Sequence, residues 1–199
     1  MAQDHKFRGI TVGKTKIPKN AKRVFKGVIF DVYQWRQKLF DGSYATFEAV
    51  RRNDTVLVIP VIGGKIALTV ESQPRQRRRN GLIGGRIEHT ESPLAAAKRE
   101  LLEESGMKSD DWKLIGSMNA VESQKIEWRV YLYAARNCRK VASQRLEPGE
   151  RISIRTVSID EFVSMVTAGK NADSSVRQLL PQSRSIQISM AKLRRMLFN

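Results

Sequence analysis

Three carboxylates fall on one stretch of this chain at a spacing that sets up metal chemistry. Glu100, Glu103 and Glu104 are related by three and four positions, with Arg99 beside them and Glu91 a short way upstream. On a helix those offsets share one face, and like charges there repel unless a cation sits between them. Hard divalent cations take oxygen ligands, and Mg²⁺ favours a few carboxylates completed by water and substrate phosphate. The Ile83-Gly84-Gly85 turn before the helix can bring a backbone carbonyl to the same place. Together these residues would make a metal cradle with an anion-binding rim. Other donors are scarce. The single cysteine, Cys138, and two histidines, His5 and His89, cannot build a thiolate or imidazole centre, and no intrachain disulfide can form. Carboxylates must do most of the work of holding any metal. Cys138 reads as a packed thiol and His89 as a surface loop residue.

The elements that must position these groups follow from local pattern. Ser92 suits an N-cap, Pro93 the first helical position and Gly106 the C-terminal stop, so a helix is expected over Ser92–Ser105. Leu94, Ala97 and Leu101 give it an apolar stripe. Strands are expected at Val24–Trp35 and Tyr44–Arg51 around an Asp41-Gly42 turn, and at Thr55–Val61 and Lys65–Glu71 around Gly63-Gly64. Gln73–Asn80 reads as an arginine-loaded loop and Gly81–Glu88 as a glycine-rich turn. Further strands are expected at Trp112–Met118, Glu127–Ala135 and Arg151–Val157, with helices over Ile159–Thr167 and Ile186–Leu197. Strands and helices mix without regular βαβ alternation, which points to an α+β fold. Trp35, Trp112 and Trp128 read as core or interface aromatics, with Tyr33 another ring available for stacking.

The chain has 199 residues and a net charge of +16 (36 basic against 20 acidic). The excess favours polyanionic partners. It is concentrated in residues 1–26, in Arg75, Arg77, Arg78 and Arg79, and from Arg184 to the end. Residues 1–23 read as a basic, flexible arm, 24–52 as a β extension, 53–180 as the main domain and 181–199 as a basic helix. No run approaches the roughly 20 apolar residues of a membrane span, so no membrane association is expected. The N-terminus lacks the apolar core of a secretory signal, and a reduced, cytoplasmic protein is the expectation.

Gly85, Glu91 and Arg99-Glu100-Leu101-Leu102-Glu103-Glu104-Ser105-Gly106 stand at the spacing of the Nudix box, and the chain resembles the Nudix hydrolases. A solvated, charge-rich helix is the plain alternative, but it rarely places both glycines and Glu91 so well. The resemblance implies a Nudix fold, a mixed sheet between helices in an α/β/α sandwich. It implies Mg²⁺, with Mn²⁺ as a substitute, held by Glu100, Glu103, Glu104 and the Gly84 carbonyl. Arg99 and Glu91 would brace the loop and helix; Gly85 and Gly106 would permit the turns, and Leu101 would anchor the helix. The implied reaction is hydrolysis of a nucleoside diphosphate linked to another moiety.

Val24–Val50, Glu71-Ser72-Gln73-Pro74-Arg75 and Glu147-Pro148-Gly149-Glu150-Arg151-Ile152 resemble the ADP-ribose pyrophosphatase branch, so that about residues 24–180 are covered. That resemblance implies a homodimer built through the extension and a diphosphate on Arg75. It also implies a late-loop glutamate as base or ligand, with Glu150 ahead of Glu147 and a helix glutamate such as Glu103 the remaining candidate. Asn119–Lys125 lacks the proline that ADP-ribose hydrolases usually carry there. Other nucleotide sugars, dinucleotides and RNA 5′ ends or caps therefore stay open as substrates, the last favoured by +16 and by weak nucleic-acid binding through the arm. A non-catalytic nucleotide- or nucleic-acid-binding module is the reading from another class; the intact glutamate set speaks against it.

Overall fold

The computed structural model describes residues 17–72, 78–120, 125–168 and 190–198. The central strand is β4 (Thr55–Ile62), whose alternate residues are buried on opposite faces. Val56 and Val58 join a core cluster with Ala96, Ala97 and Leu101 of helix α1 (Pro93–Ser105). Leu57, Ile59 and Val61 join another with Phe162 of α2 (Ile159–Ala168) and with Leu193, Met196 and Leu197 of α3 (Met190–Phe198). Such two-sided burial of a strand explains its nearly unbroken apolar run. The result is a mixed sheet sandwiched between helices, as expected for the α/β/α arrangement.

The sheet runs in the order β13 (Arg151–Val157), β5 (Lys65–Ser72), β4, β11 (Arg129–Arg136), β9 (Asp111–Asn119). β11 is parallel to β4 and antiparallel to β9, while β13 is antiparallel to β5. β4 and β5 pair only beside their turn, at Val61–Ile66 and Ile62–Lys65. Beyond it they diverge. Thr55–Val58 then pair with β7 (Ile83–Arg86), and Thr69–Glu71 with β6 (Arg79–Gly81). Pro60, which has no N–H to donate, falls where that edge of β4 changes partner. The gap between the diverging strands opens one of the cavities described below. β6 and β7 lie inside the segment read as loop and turn from sequence, because three- and four-residue glycine-containing strands have no readable alternation. β8 (Met107–Lys108) and β12 (Arg139–Lys140) form a separate two-stranded ladder.

The extension is a four-stranded sheet in the order β1 (Lys22–Lys26), β2 (Phe30–Lys38), β3 (Tyr44–Arg52), β10 (Ile126–Glu127), the last parallel to β3. The expected strand Val24–Trp35 is thus two strands, broken at Gly27, whose N–H donates to the Phe30 carbonyl. β1 begins at Lys22, inside the segment read as a flexible arm. Ile17, also in that segment, is buried, and its N–H donates to Glu127. Arg51 also bonds Glu127, at 2.8 Å, and stacks on Tyr33. Val24, Phe25, Val28, Ile29, Phe30 and Phe40 of this sheet stand exposed.

Candidate active site

Helix α1 begins and ends where its sequence dictates. Ser92 caps it, its hydroxyl accepting from the Ala95 N–H at 3.2 Å, and Gly106 closes it with φ +64°, its N–H bonded to the Leu102 carbonyl. A side chain at Gly106 would meet both that backbone conformation and the Ala142 carbonyl. Leu101, fully buried, fixes the helix against the sheet. Glu100 is thereby turned onto strand β7, so close that a Cβ at Gly85 would collide with its carboxylate.

Arg99 ties the segment together. Its Nε and Nη2 donate to the two oxygens of Glu91, each at 3.1 Å, and Nη2 also donates to the Arg86 carbonyl at 2.9 Å. Nη1 lies between Glu100 at 2.8 Å and Glu103 at 3.0 Å. The bonds to Glu91 above all, followed by the charges of Glu100 and Glu103, raise the guanidinium pKa. The same bonds hold Glu91 below the usual carboxylate range. Glu104 points the other way and accepts from the Gly84 N–H at 3.1 Å. Burial pushes its pKa up to about 9 against that hydrogen bond, with Glu100, Glu71 and Glu150 adding to the rise. Glu100 and Glu150 are also raised, chiefly by burial.

The segment after α1 returns to the same helix end. The Arg145 N–H donates to the Glu103 carbonyl at 2.8 Å, the Gln144 side chain to that of Glu104, and Lys140 Nζ to that of Ser105 at 2.7 Å. The orphan carbonyls of the last turn are satisfied in this way. The chain then enters the 147–150 turn, where the Glu150 N–H donates to the Glu147 carbonyl at 3.1 Å. Glu150 is half-buried and Glu147 exposed.

Two adjoining cavities meet at these groups. The smaller, of about 340 Å³, lies between the diverging strands and is lined by Leu57, Glu71, Arg79, Trp128 and Arg151 among others. The larger, of about 480 Å³, includes Gly85, Arg99, Glu100, Glu103, Arg145 and Glu147, together with Val28 and Ile29 of the extension. Arg52, Gly84, Glu104 and Glu150 line both. The structure thus gathers Gly84, Gly85, Glu91, Arg99, Glu100, Glu103, Glu104, Glu147 and Glu150 around one place. Arg75 lies outside the described residues.

Among the described residues, no three acidic, histidine or cysteine side chains are drawn into a closed metal shell. The reason is visible: the Arg99 guanidinium bridges Glu100 and Glu103, and Glu104 is turned onto Gly84. The donor set nevertheless fits a hard divalent cation. Three carboxylates and a glycine turn supply oxygens, and burial, with the charges of Glu100, Glu71 and Glu150 added, keeps the withdrawn Glu104 carboxyl from ionising at its ordinary pKa. A cation is the partner that such a cluster needs.

Sequence reading missed Arg52, Glu71, Arg79, Trp128 and Arg151 as members of this place. Glu71 accepts from Thr69 at 2.7 Å and pairs with Arg79 at 3.4 Å. Arg79 carried a signal within the arginine cluster, Glu71 and Arg151 lay inside the segments that resemble the ADP-ribose pyrophosphatase branch, and Trp128 was read as a core or interface aromatic; Arg52 carried no signal. The other rings are engaged elsewhere: Trp35 tilts against Phe47, and Trp112 meets Tyr133 edge-on. Cys138 is buried, and burial pushes its thiol up to about 11, which leaves it inert. His89 is exposed.

The NUDIX domain profile matches residues 51–180. The chain belongs to the Nudix hydrolase family, whose members use divalent cations and act on nucleotide substrates. A crystal structure of an ADP compounds hydrolase shares the fold with a TM-score of 0.63, at 18% identity over 81% of this chain and 88% of its own. No curated protein matches the chain. Among the described residues no helix is long and apolar enough to cross a membrane.

Proposed function

We propose that this protein hydrolyses the diphosphate of a nucleoside diphosphate joined to a second moiety, with ADP-ribose or a related ADP-sugar as its substrate, yielding two phosphomonoesters. The observation that carries this reading is the shared wall of the two cavities. There Glu104, Glu150 and Arg52 line both cavities, and a cavity opens on either side for each half of the substrate. The solved ADP compounds hydrolase of the same fold supports the choice of an ADP-linked substrate.

Glu100, Glu103, Glu104 and the Gly84 carbonyl would hold Mg²⁺, or Mn²⁺ in its place. When bound, the metal neutralises the diphosphate and lowers the pKa of the attacking water. The chain's own groups do the rest. Arg99, held by Glu91, keeps Glu100 and Glu103 in register. Arg52 and Arg75 bind phosphate oxygens. Glu150 accepts the proton of the attacking water; its raised pKa makes it a better base than an exposed carboxylate. Glu147, exposed at the rim, is the second candidate for this step and Glu103 the third.

The protein acts as a homodimer in this reading. Phe25, Val28 and Ile29 sit exposed on the extension, the last two lining the larger cavity, and a second copy would cover them. The test is a panel of nucleoside diphosphate compounds, dinucleotides and 5′-capped RNA, with Mg²⁺ or Mn²⁺ and with products separated by chromatography. Preferred cleavage of an ADP-sugar to AMP and a sugar phosphate is expected; preference for capped RNA would replace this reading with that of an RNA-end hydrolase.

A further inference from the structure

Arg52 ends β3 at the junction of the two cavities, and it is held by rings. Its guanidinium lies 4.1 Å from the ring centre of Trp128 and 5.8 Å from that of Phe30. Its Nε is buried and has no hydrogen-bond partner. No carboxylate pairs with it among the ion pairs of the described residues, although Glu104 and Glu150 line the same cavities. Burial and the like charge of Arg86 both oppose its protonated form. A cation so placed needs an external anion, and stacking on an indole face offsets part of its lost hydration until one arrives.

The indole is itself fixed. Trp128 Nε1 donates to Thr55 Oγ1 at 2.7 Å, and the Trp128 carbonyl accepts from the Ala120 N–H at 2.9 Å. Thr55 opens β4, so the ring is referred to the central strand of the sheet. A long arginine without this face would be free to swing onto Glu104 or Glu150. That internal pair would consume a phosphate-binding cation and a metal-binding carboxylate together.

We propose that Trp128 is a positioning residue: Thr55 sets the indole, the indole sets Arg52, and Arg52 holds the phosphate that spans the two cavities. The inference rests on the reading above, that this wall takes a diphosphate, but it has a separate readout. Binding of ADP and of inorganic pyrophosphate to the full chain, measured by calorimetry with Mg²⁺, is compared with KM and kcat for the preferred ADP-sugar. W128L is expected to weaken ADP binding about tenfold and raise KM by a similar factor, with kcat within about twofold. W128F keeps a stacking face and is expected to recover most of that loss. R52A is expected to weaken binding at least as much as W128L, and the double variant no more than R52A alone.

Additive losses in the double variant would overturn the proposal, as would W128L binding like the wild type while R52A does not. If W128L fails to fold, Thr55→Val decides: a loss of about two- to threefold that vanishes in the R52A background supports the chain of contacts, and a loss that persists there refutes it. Absence of any turnover with ADP binding intact would remove the proposed reaction and leave the Trp128 result standing. A wild-type protein that binds neither ADP nor pyrophosphate would remove both.

Discussion

The segment from Gly84 to Gly106 and the extension from Lys22 to Arg52 solve opposite problems. In the first, polar groups are drawn inward and given partners: Arg99 alone reaches Glu91, Glu100, Glu103 and the Arg86 carbonyl. In the second, apolar groups stand in water, with Val28 at 92% exposure and Phe40 fully exposed. Inward charge marks a place built for an ion and an anionic substrate. Outward apolar surface is what the proposed dimer would cover. The two regions meet at the larger cavity, where Val28 and Ile29 face the same space as Glu100 and Glu103.

The sharpest way to break that contrast is Glu104→Gln. It is expected to lower kcat by roughly a hundredfold or more, as loss of a group needed in the transition state does. The same variant should make the metal-free protein more heat-stable, by about 2–4 °C at pH 8. The sign follows from the raised pKa. A carboxyl with a folded value near 9 and an ordinary unfolded value favours the folded state while protonated, so its contribution is full below pH about 4.5 and fades as pH rises toward 9. Melting of wild type and variant across that range should diverge with rising pH, and addition of Mg²⁺ to wild type at pH 7 should release protons. Parallel melting curves would show that Glu104 carries no such charge stress.

On the other side of the contrast, a Phe25→Glu, Val28→Glu double variant is expected to convert a dimer to a monomer by sedimentation at micromolar concentration. If the wild type is already a monomer there, the exposed face has another purpose. Next in size comes Glu150→Gln, expected to lower kcat with little change in KM. Glu147→Gln, at the exposed rim, should be far milder; the reverse order would move the base by one turn of the loop. The smallest expected effect comes from the basic segments. Arg75→Ala should raise KM about tenfold, since an arginine makes charge-assisted bonds to phosphate. Removal of residues 1–16 should leave KM within about twofold, because salt screens exposed charges beyond about 8–10 Å.

What sequence revealed depended on how local the determining physics is. Helix α1 was legible to the residue because Ser92, Pro93 and Gly106 act within one turn of its ends. β13 was legible because Arg151–Val157 alternates. The break at Gly27 was not, since the flanking residues are equally β-prone and only the bond from Gly27 to Phe30 separates them. β6 and β7 owe their existence to the divergence of β4 from β5, a property of the whole sheet. Of the site, the glutamates were readable from spacing, and their arginine brace was implied by the resemblance to the Nudix box. The contacts of Arg52 with Trp128, and of Glu71 with Arg79, join residues by tertiary approach and leave no periodic trace.

The last turn of α1 receives hydrogen bonds from Lys140, Gln144 and the Arg145 backbone, immediately before the turn that bears Glu147 and Glu150. The two sets of carboxylates are therefore parts of one mechanical body, joined by a tether of only a few residues beyond Arg145. Any swing of Glu150 during turnover is a short-loop motion on the nanosecond-to-microsecond scale, not a slow domain closure. Amide hydrogen exchange should show it directly, with the Arg145 N–H protected along with the helix and protection lost only over Leu146–Gly149, before β13 begins.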